Sequence, residues 1–146
     1  MRYFFSALGM VSLFFLGCGK IDPQQIPQES PVSKTIILAV YAANDYSDAF
    51  YNNARAELQL TIAKMSGDNP SGQVLWDTVY TLRKLADFPI FQSQAIIQKT
   101  FPILESKENL HVSIIKKYNF NGALSQSANG IPVANHSNET RFNVDL

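Results

Sequence analysis

NDYSDAFYNNARAELQLTIAKMSG, residues 44–67, is the stretch on which the predicted fold depends. Its apolar side chains recur every three or four positions, which would place them on one face of a helix. They are Phe50, Ala54, Leu58, Ile62 and Met65. Asn44, Asp45 and Ser47 precede them and carry side-chain oxygens of the kind that cap helix N-termini. The segment is therefore predicted to be an amphipathic helix that ends at Gly67.

A second amphipathic helix is predicted over residues 74–86, after a loop with the sequence SGDNPSG. Its apolar stripe consists of Leu75, Val79, Leu82 and Ala86, with Val74 and Leu85 beside it. Trp76 and Tyr80 are four residues apart and would lie on a flank of that stripe. Two interpretations stay open for this pair: a stacking surface that binds a sugar ring or a partner, or ordinary packing at the rim of the core.

The last third of the chain has a different pattern. Leu110, Val112 and Ile114 alternate with polar residues, as in a half-buried strand, and residues 142–146 alternate again. Asn121-Gly122 and Asn129-Gly130 are typical of type I′ hairpin turns. Residues 35–42, TIILAVYA, fit either a buried strand or the start of a helix. The sequence predicts one α+β domain, residues 35–146, with helices first and a small antiparallel sheet or a loop-rich arm last.

Composition limits the possible functions. The chain has 146 residues, and its 12 basic and 12 acidic side chains cancel and are dispersed. Nucleic acid is therefore not an expected partner, because phosphate binding depends on clustered Lys and Arg. Cys18 is the single cysteine, so no disulfide can form within the chain. No phosphate loop, zinc spacing or calcium loop is present in the sequence, and no metal or other cofactor is predicted.

The first eighteen residues have the pattern of an export signal. Met1-Arg2 is followed by an apolar run from Tyr3 to Leu16, which is shorter than the roughly 20 residues of a membrane-spanning helix. Phe15-Leu16-Gly17-Cys18 then resembles the lipobox of bacterial lipoproteins. The resemblance implies cleavage between Gly17 and Cys18, acylation of Cys18, and residues 1–17 as a signal peptide. An ordinary signal peptide with an incidental cysteine is the competing interpretation.

Lipidation would determine the cellular location of the protein. Burial of each acyl CH₂ contributes about 0.8 kcal/mol, so two or three chains hold a protein stably on a membrane. Gly19 follows the cysteine where an Asp would favour the inner membrane, so the outer membrane of the cell envelope is the expected location. Residues 18–34 contain Pro23, Pro27 and Pro31 among Gln and Ser, and are predicted to be an extended tether.

Reactive groups are few. His136 and Ser137, with Glu139 and Asp145 nearby in the sequence, have the residue types of a Ser/His/acid catalytic set. No serine, however, lies in a predicted strand-turn-helix elbow. His111 is expected on the exposed face of a strand, because Leu110 and Val112 would face the core.

Glu57 and Asp77, one on each predicted helix, are the only carboxylate pair that could be nominated for glycoside cleavage. Both fit solvated helix faces equally well.

The leading functional hypothesis is an envelope lipoprotein without enzymatic activity. It would be held on a membrane by its N-terminal lipid and would bind a protein complex, peptidoglycan, or an incoming phage or conjugation factor. Two alternatives stay open: an envelope hydrolase that uses carboxylates or a Ser/His pair, and an immunity or exclusion lipoprotein.

Overall fold

The computed structural model describes residues 29–146, and in this part of the chain the fold is built from β-strands. The seven strands are β1 (Val32–Tyr41), β2 (Arg55–Ser66), β3 (Asn69–Lys84), β4 (Ala95–Ile103), β5 (Glu108–Phe120), β6 (Ala123–Pro132) and β7 (Glu139–Asp145). The helical residues described are confined to three short 3₁₀ turns, at Ala49–Tyr51, Leu85–Asp87 and Phe91–Ser93. The predicted α+β class is therefore wrong, and neither amphipathic helix exists.

The strands form two sheets that share one core. Three strands lie in the order β4-β1-β7, with β1 antiparallel to β4 and parallel to β7. The other four lie in the order β3-β2-β5-β6, all antiparallel. One buried cluster takes side chains from both sheets, so the sheets pack face to face as a sandwich. Its largest fully buried apolar members are Ile36, Leu38, Leu58, Leu60, Ile62, Ile103 and Leu110.

The predicted helix at residues 44–67 fails because its spacing has two geometric solutions. Residues four apart lie on one face of a helix, but they also lie on one face of a strand, whose side chains repeat every two residues. The structure follows the strand solution in β2, where the buried side chains alternate with partly exposed ones. Ala56, Leu58, Leu60 and Ile62 are buried, and Glu57, Gln59 and Thr61 lie between them on the opposite face.

The second predicted helix is also a strand, and Val79 and Leu82 of its predicted core stripe are 46% and 49% exposed. Trp76 and Tyr80 lie on one face of β3, opposite Ile62 and Leu58 of β2, and half-buried Thr78 lies between them. The predicted loop SGDNPSG is instead the tight connection of a β2–β3 hairpin, because its first and last residues belong to the strands. Residues 55–84 thus form two antiparallel strands rather than two helices.

Predictions for the C-terminal part are closer to the structure. Leu110, Val112 and Ile114 are buried on β5, and Asn121-Gly122 forms the β5–β6 turn with φ of 50° and 87°, as a type I′ turn requires.

Asn129-Gly130 is not a turn, because both residues pair with β5 inside strand β6. Glycine is needed there for another reason: a Cβ at Gly130 would lie 2.6 Å from Cε1 of His111.

Two ends of the sandwich can be distinguished. The base contains the start of β1, the β2–β3 turn, residues 104–107 between β4 and β5, and residues 133–138 between β6 and β7. The loop end contains residues 42–54, residues 85–94 and the β5–β6 turn. Strand β1 begins at Val32, so three residues assigned above to the tether belong to the sheet. Within residues 29–146, no helix has the length and apolarity needed to cross a bilayer.

Candidate functional site

A cleft at the loop end is the best candidate for a binding site. Its volume is about 510 Å³, within the range of small-ligand sites. One wall is the segment after β1 and the other is the 3₁₀ turn at Phe91–Ser93. The lining residues are Ala42, Ala43, Asn44, Asp45, Ser47, Ile90, Phe91 and Gln92.

Backbone hydrogen bonds hold the two walls of the cleft together. The N–H of Ala42 donates to the carbonyl of Pro89 at 2.7 Å, and Ala42 also forms an isolated parallel bridge with Ile90. The N–H of Ala43 donates to the carbonyl of Leu146 at 2.8 Å, which ties the first wall to the end of β7. Because main-chain bonds rather than side chains join the walls, side-chain substitutions in the cleft can leave its shape intact.

The first wall is polar and fixed. The carboxylate of Asp45 accepts the N–H of Ser47 at 2.9 Å, an Asx turn that sets the orientation of both residues. Hydrogen bonding by the hydroxyl and then the backbone of Ser47 lowers the pKa of Asp45 from its ordinary value. At neutral pH the cleft therefore presents a carboxylate acceptor beside the amide of Asn44.

The second wall is apolar and open to solvent. Ile90 and Phe91 are 50% and 55% exposed, respectively, far more than the core residues. The ring of Phe91 contacts the ring of Tyr41 edge to face, with centroids 5.1 Å apart, which limits its rotation. An exposed aromatic ring held in place next to polar side chains can stack on a ligand while the opposite wall binds its polar groups.

A second group of rings lies at the same end of the sandwich. This aromatic cluster consists of Tyr46, Phe50, Tyr51 and Phe120, with neighbouring centroids 5.0 to 6.3 Å apart. The hydroxyl of Tyr46 donates to the carbonyl of Leu146 at 3.1 Å. Phe50 is 64% exposed. Its N–H donates to the carboxylate of Asp48, two residues earlier, at 2.8 Å. The loop end therefore carries exposed rings both inside and beside the cleft.

Trp76 and Tyr80, the surface pair proposed from the sequence, lie elsewhere. Both are partly buried on the core side of β3 and pack against the buried cluster. The ammonium of Lys99 lies 5.2 Å from the Trp76 ring centre, and the guanidinium of Arg83 lies 5.1 Å from the Tyr80 ring centre. The two ring faces thus contact cations of the protein itself, as in the rim-packing interpretation.

The nominated hydrolytic residues are not assembled. His136 is exposed, and the hydroxyl of Ser137 donates to the backbone carbonyl of Glu139. Asp145 lies at the other end of β7, about 20 Å from Glu139 at the rise of an extended strand, and accepts a hydrogen bond from Lys116 at 2.8 Å. His111 is half-buried on the outer face of β5, beside Gly130.

Glu57 and Asp77 share the outer face of the four-stranded sheet but lie far apart. Asp77 pairs with Thr61, four residues along β2 from Glu57, a separation of about 13 Å. Glu57 forms an ion pair with Lys117 at 2.6 Å. The described residues contain no group of three or more His, Cys, Asp or Glu side chains that could hold a metal ion.

The residues of the cleft were missed as a site by the sequence reasoning. Asn44, Asp45 and Ser47 were interpreted as helix caps rather than as one wall of a binding site. The two walls are more than forty residues apart in the chain, so no local motif joins them. The predicted cleavage site Gly17–Cys18, the lipid on Cys18 and the signal peptide lie outside the described residues.

Comparison with known proteins adds no family to this description. A scan against protein-family models found no match to the chain. Searches of curated proteins and of solved structures also found no significant match. Functional inference therefore depends on the sequence and on the geometry of the loop end.

Proposed function

We propose that this chain is a lipid-anchored protein of the bacterial envelope that binds the glycan strands of peptidoglycan in its loop-end cleft. The observation that carries the proposal is the pairing of a fixed polar wall with an exposed apolar wall that includes Phe91. Sugar rings have the matching surfaces: a C–H face that packs on an aromatic ring, and a rim of hydroxyl groups that hydrogen-bonds carboxylates and amides.

Charge favours a neutral ligand for this cleft. Asp45 is the single charged residue among those that line the cleft, and the lining includes no Lys, Arg or His. An anionic ligand such as a phosphate would lose its hydration and meet a carboxylate, a costly exchange. Hydroxyl groups instead donate well to the Asp45 carboxylate and can exchange hydrogen bonds with the amides of Asn44 and Gln92.

The predicted anchor would bring the cleft close to such a ligand. The signal pattern and the lipobox-like residues before Cys18 support export and acylation, and the absence of Asp at position 19 supports the outer membrane. The residues between Cys18 and Glu29 would supply a tether of about 30 Å if extended at 3.1 Å per residue. That length would let a domain anchored in the membrane reach the adjoining glycan layer.

Acylation is tested by the intact mass and detergent partition of the membrane fraction, for wild type and for Cys18→Ala. We expect wild type to have lost residues 1–17 and to carry acyl chains, and we expect Cys18→Ala to carry none. A mature wild-type protein without lipid would contradict the anchor.

Binding is tested by co-sedimentation of the full, detergent-solubilised protein with purified peptidoglycan sacculi. Phe91→Ala and Ile90→Ala should each weaken binding about tenfold, because loss of an aromatic or aliphatic contact costs about 1–2 kcal/mol.

The chain offers matched controls for both binding variants. Ile96 on β4 is 51% exposed and Phe50 is 64% exposed, yet neither lines the cleft. Ile96→Ala and Phe50→Ala should therefore bind sacculi like wild type. If Phe91→Ala and Ile90→Ala also bind like wild type, or if wild type stays in solution, the glycan proposal is wrong.

A further inference from the structure

The free edge of β6 lacks the features that usually prevent strand pairing between molecules. Four described strands are sheet edges: β3, β4, β6 and β7. Natural edges are protected by charges, prolines or bulges. Strand β3 carries Asp77, Arg83 and Lys84 and pairs irregularly with β2, whereas β7 carries Glu139, Arg141 and Asp145. Strand β4 carries Lys99 and an internal proline, Pro102.

Strand β6 has none of these protections along most of its length. Residues 121–135 contain no charged side chain. All ten β6 residues pair with β5 without a register shift, so the strand is regular. Ala123 to Gly130 are exposed, and Leu124 is 80% exposed, the largest value among the exposed large apolar side chains of the described chain.

The hydrogen-bond pattern identifies which backbone groups of β6 are free. The N–H of Val133 donates to the carbonyl of Leu110, so odd-numbered positions point toward β5, because hydrogen-bonded pairs alternate along an antiparallel ladder. The even-numbered residues from Leu124 to Gly130 therefore point their N–H and C=O groups away from the sheet. Pro132 also falls at an outward position, where its missing N–H costs no ladder bond.

We infer that β6 is a dimerisation edge, on which β6 of a second copy of this chain adds in the antiparallel direction. A two-fold axis at Ser127 pairs Leu124 with the partner's Gly130, and Gln126 with the partner's Ala128. This register uses all four outward residues, makes about eight hydrogen bonds between the chains, and leaves Pro132 outside the ladder.

Side chains fit a second copy in this register. Leu124 and Gly130 lie on the same outer face of the sheet, since they pair with Asn119 and Ser113 of β5. The large exposed Leu124 thus lies across from a residue without a side chain, and the partner's Leu124 lies likewise on Gly130. Every cross-strand contact along the edge is between uncharged residues, so no like charges oppose the pairing. None of the cleft residues lies on β6.

Disulfide trapping tests this register in the full, detergent-solubilised chain. Ser127 would face the partner's Ser127 in a non-hydrogen-bonded pair, with Cα atoms about 4.5 Å apart, close enough for a disulfide. Ser127→Cys should therefore form a covalent dimer at least about tenfold faster than Ser125→Cys, whose two copies would be four residues out of register. The wild-type chain, with Cys18 alone, measures the background.

A second variant separates edge pairing from random collision. Ala128→Pro removes an outward N–H and leaves the β5 ladder intact, so it should abolish cross-linking of Ser127→Cys without lowering the melting temperature. Equal cross-linking of the Ser127→Cys and Ser125→Cys chains would overturn the proposal. So would a monomeric wild-type mass by sedimentation equilibrium at about 100 µM, a concentration that favours even weak dimers.

Discussion

The base and the loop end of the sandwich differ in what their side chains contact. At the base, Lys34 is 1% exposed, and its ammonium forms an ion pair with Glu105 and donates to the carbonyls of Asn135 and Ser137. At the loop end, Phe50 and Phe91 are more than half exposed, and neither belongs to the buried hydrophobic core. The base therefore contains a buried cation with several partners, whereas the loop end leaves large apolar side chains exposed to solvent.

The base also holds the segment that precedes the first strand. The carboxylate of Glu29 accepts hydrogen bonds from the N–H and hydroxyl of Ser106, and these bonds lower the pKa of Glu29. Lys64 and Glu108 form a further ion pair at 2.8 Å. Polar contacts therefore connect the start of the sandwich to the β4–β5 turn, and we expect stability to be more sensitive to substitutions at the base than at the loop end.

Removal of the buried cation should have the largest effect. Lys34→Met leaves the Glu105 carboxylate and two carbonyls without their partner, which should cost about 2–4 kcal/mol of unfolding free energy. Such a loss should lower the melting temperature by roughly 10 °C in a domain of this size. Urea denaturation, monitored by circular dichroism, measures the change in unfolding free energy.

Lys99→Met is the matched control for the cation, because Lys99 is only partly buried and contacts the Trp76 ring. Its loss should cost under about 1 kcal/mol. Equal effects of the two substitutions would mean that the contacts of Lys34 add little to stability.

The ion pair at the base should produce a smaller, pH-dependent effect. Hydrogen bonds from Lys64 and from the N–H of Leu104 lower the pKa of Glu108 below its ordinary value of 4.5. A carboxyl with a lower pKa in the folded state stabilises the fold above its unfolded pKa and loses this contribution as pH falls through the folded pKa. Glu108→Gln should therefore have a lower urea midpoint than wild type at pH 7.

The difference between wild type and Glu108→Gln should shrink as pH falls below about 4. Urea midpoints at pH 7 and pH 3 measure this convergence. A constant difference across that range would show that the ionised carboxylate is not the source of the stabilisation.

Exposed rings at the loop end should have the smallest effect on stability. Phe91→Ala removes a ring that is 55% exposed and makes one aromatic contact, so the unfolding free energy should change by less than about 1 kcal/mol. A loss comparable to that of Lys34→Met would mean that Phe91 supports the fold, and the contrast between the two ends would disappear.

Sequence reasoning succeeded at the β5–β6 turn and along strand β5. The β5–β6 turn needs two residues with positive φ, which Asn121 and Gly122 supply. The alternation of Leu110, Val112 and Ile114 with polar residues fits only a strand. It failed at residues 44–67, where a four-residue spacing satisfied both a helix and a strand. The additional alternation of Leu58, Leu60 and Ile62 with polar residues was present in the sequence and favoured the strand.

The cleft could not be predicted from the sequence because it depends on contacts distant in the chain. Its walls are joined by the Ala42 and Ala43 backbone bonds to Pro89 and Leu146, and main-chain bonds carry no residue signature. The role of Gly130 also depends on a distant residue. An Asn-Gly pair by itself predicts a turn, but here the glycine leaves space for His111 on the neighbouring strand. Both features depend on contacts between residues that are distant in the chain.

Sacculus binding and thermal melting, measured together on Phe91→Ala and Lys34→Met, test most directly whether the two ends have separate roles. We expect Phe91→Ala to keep the wild-type melting temperature but to bind sacculi about tenfold more weakly. Lys34→Met should melt at a lower temperature yet bind like wild type at a temperature where it is folded. Normal binding by Phe91→Ala, or weak binding by folded Lys34→Met, would show that the two ends do not have separate roles.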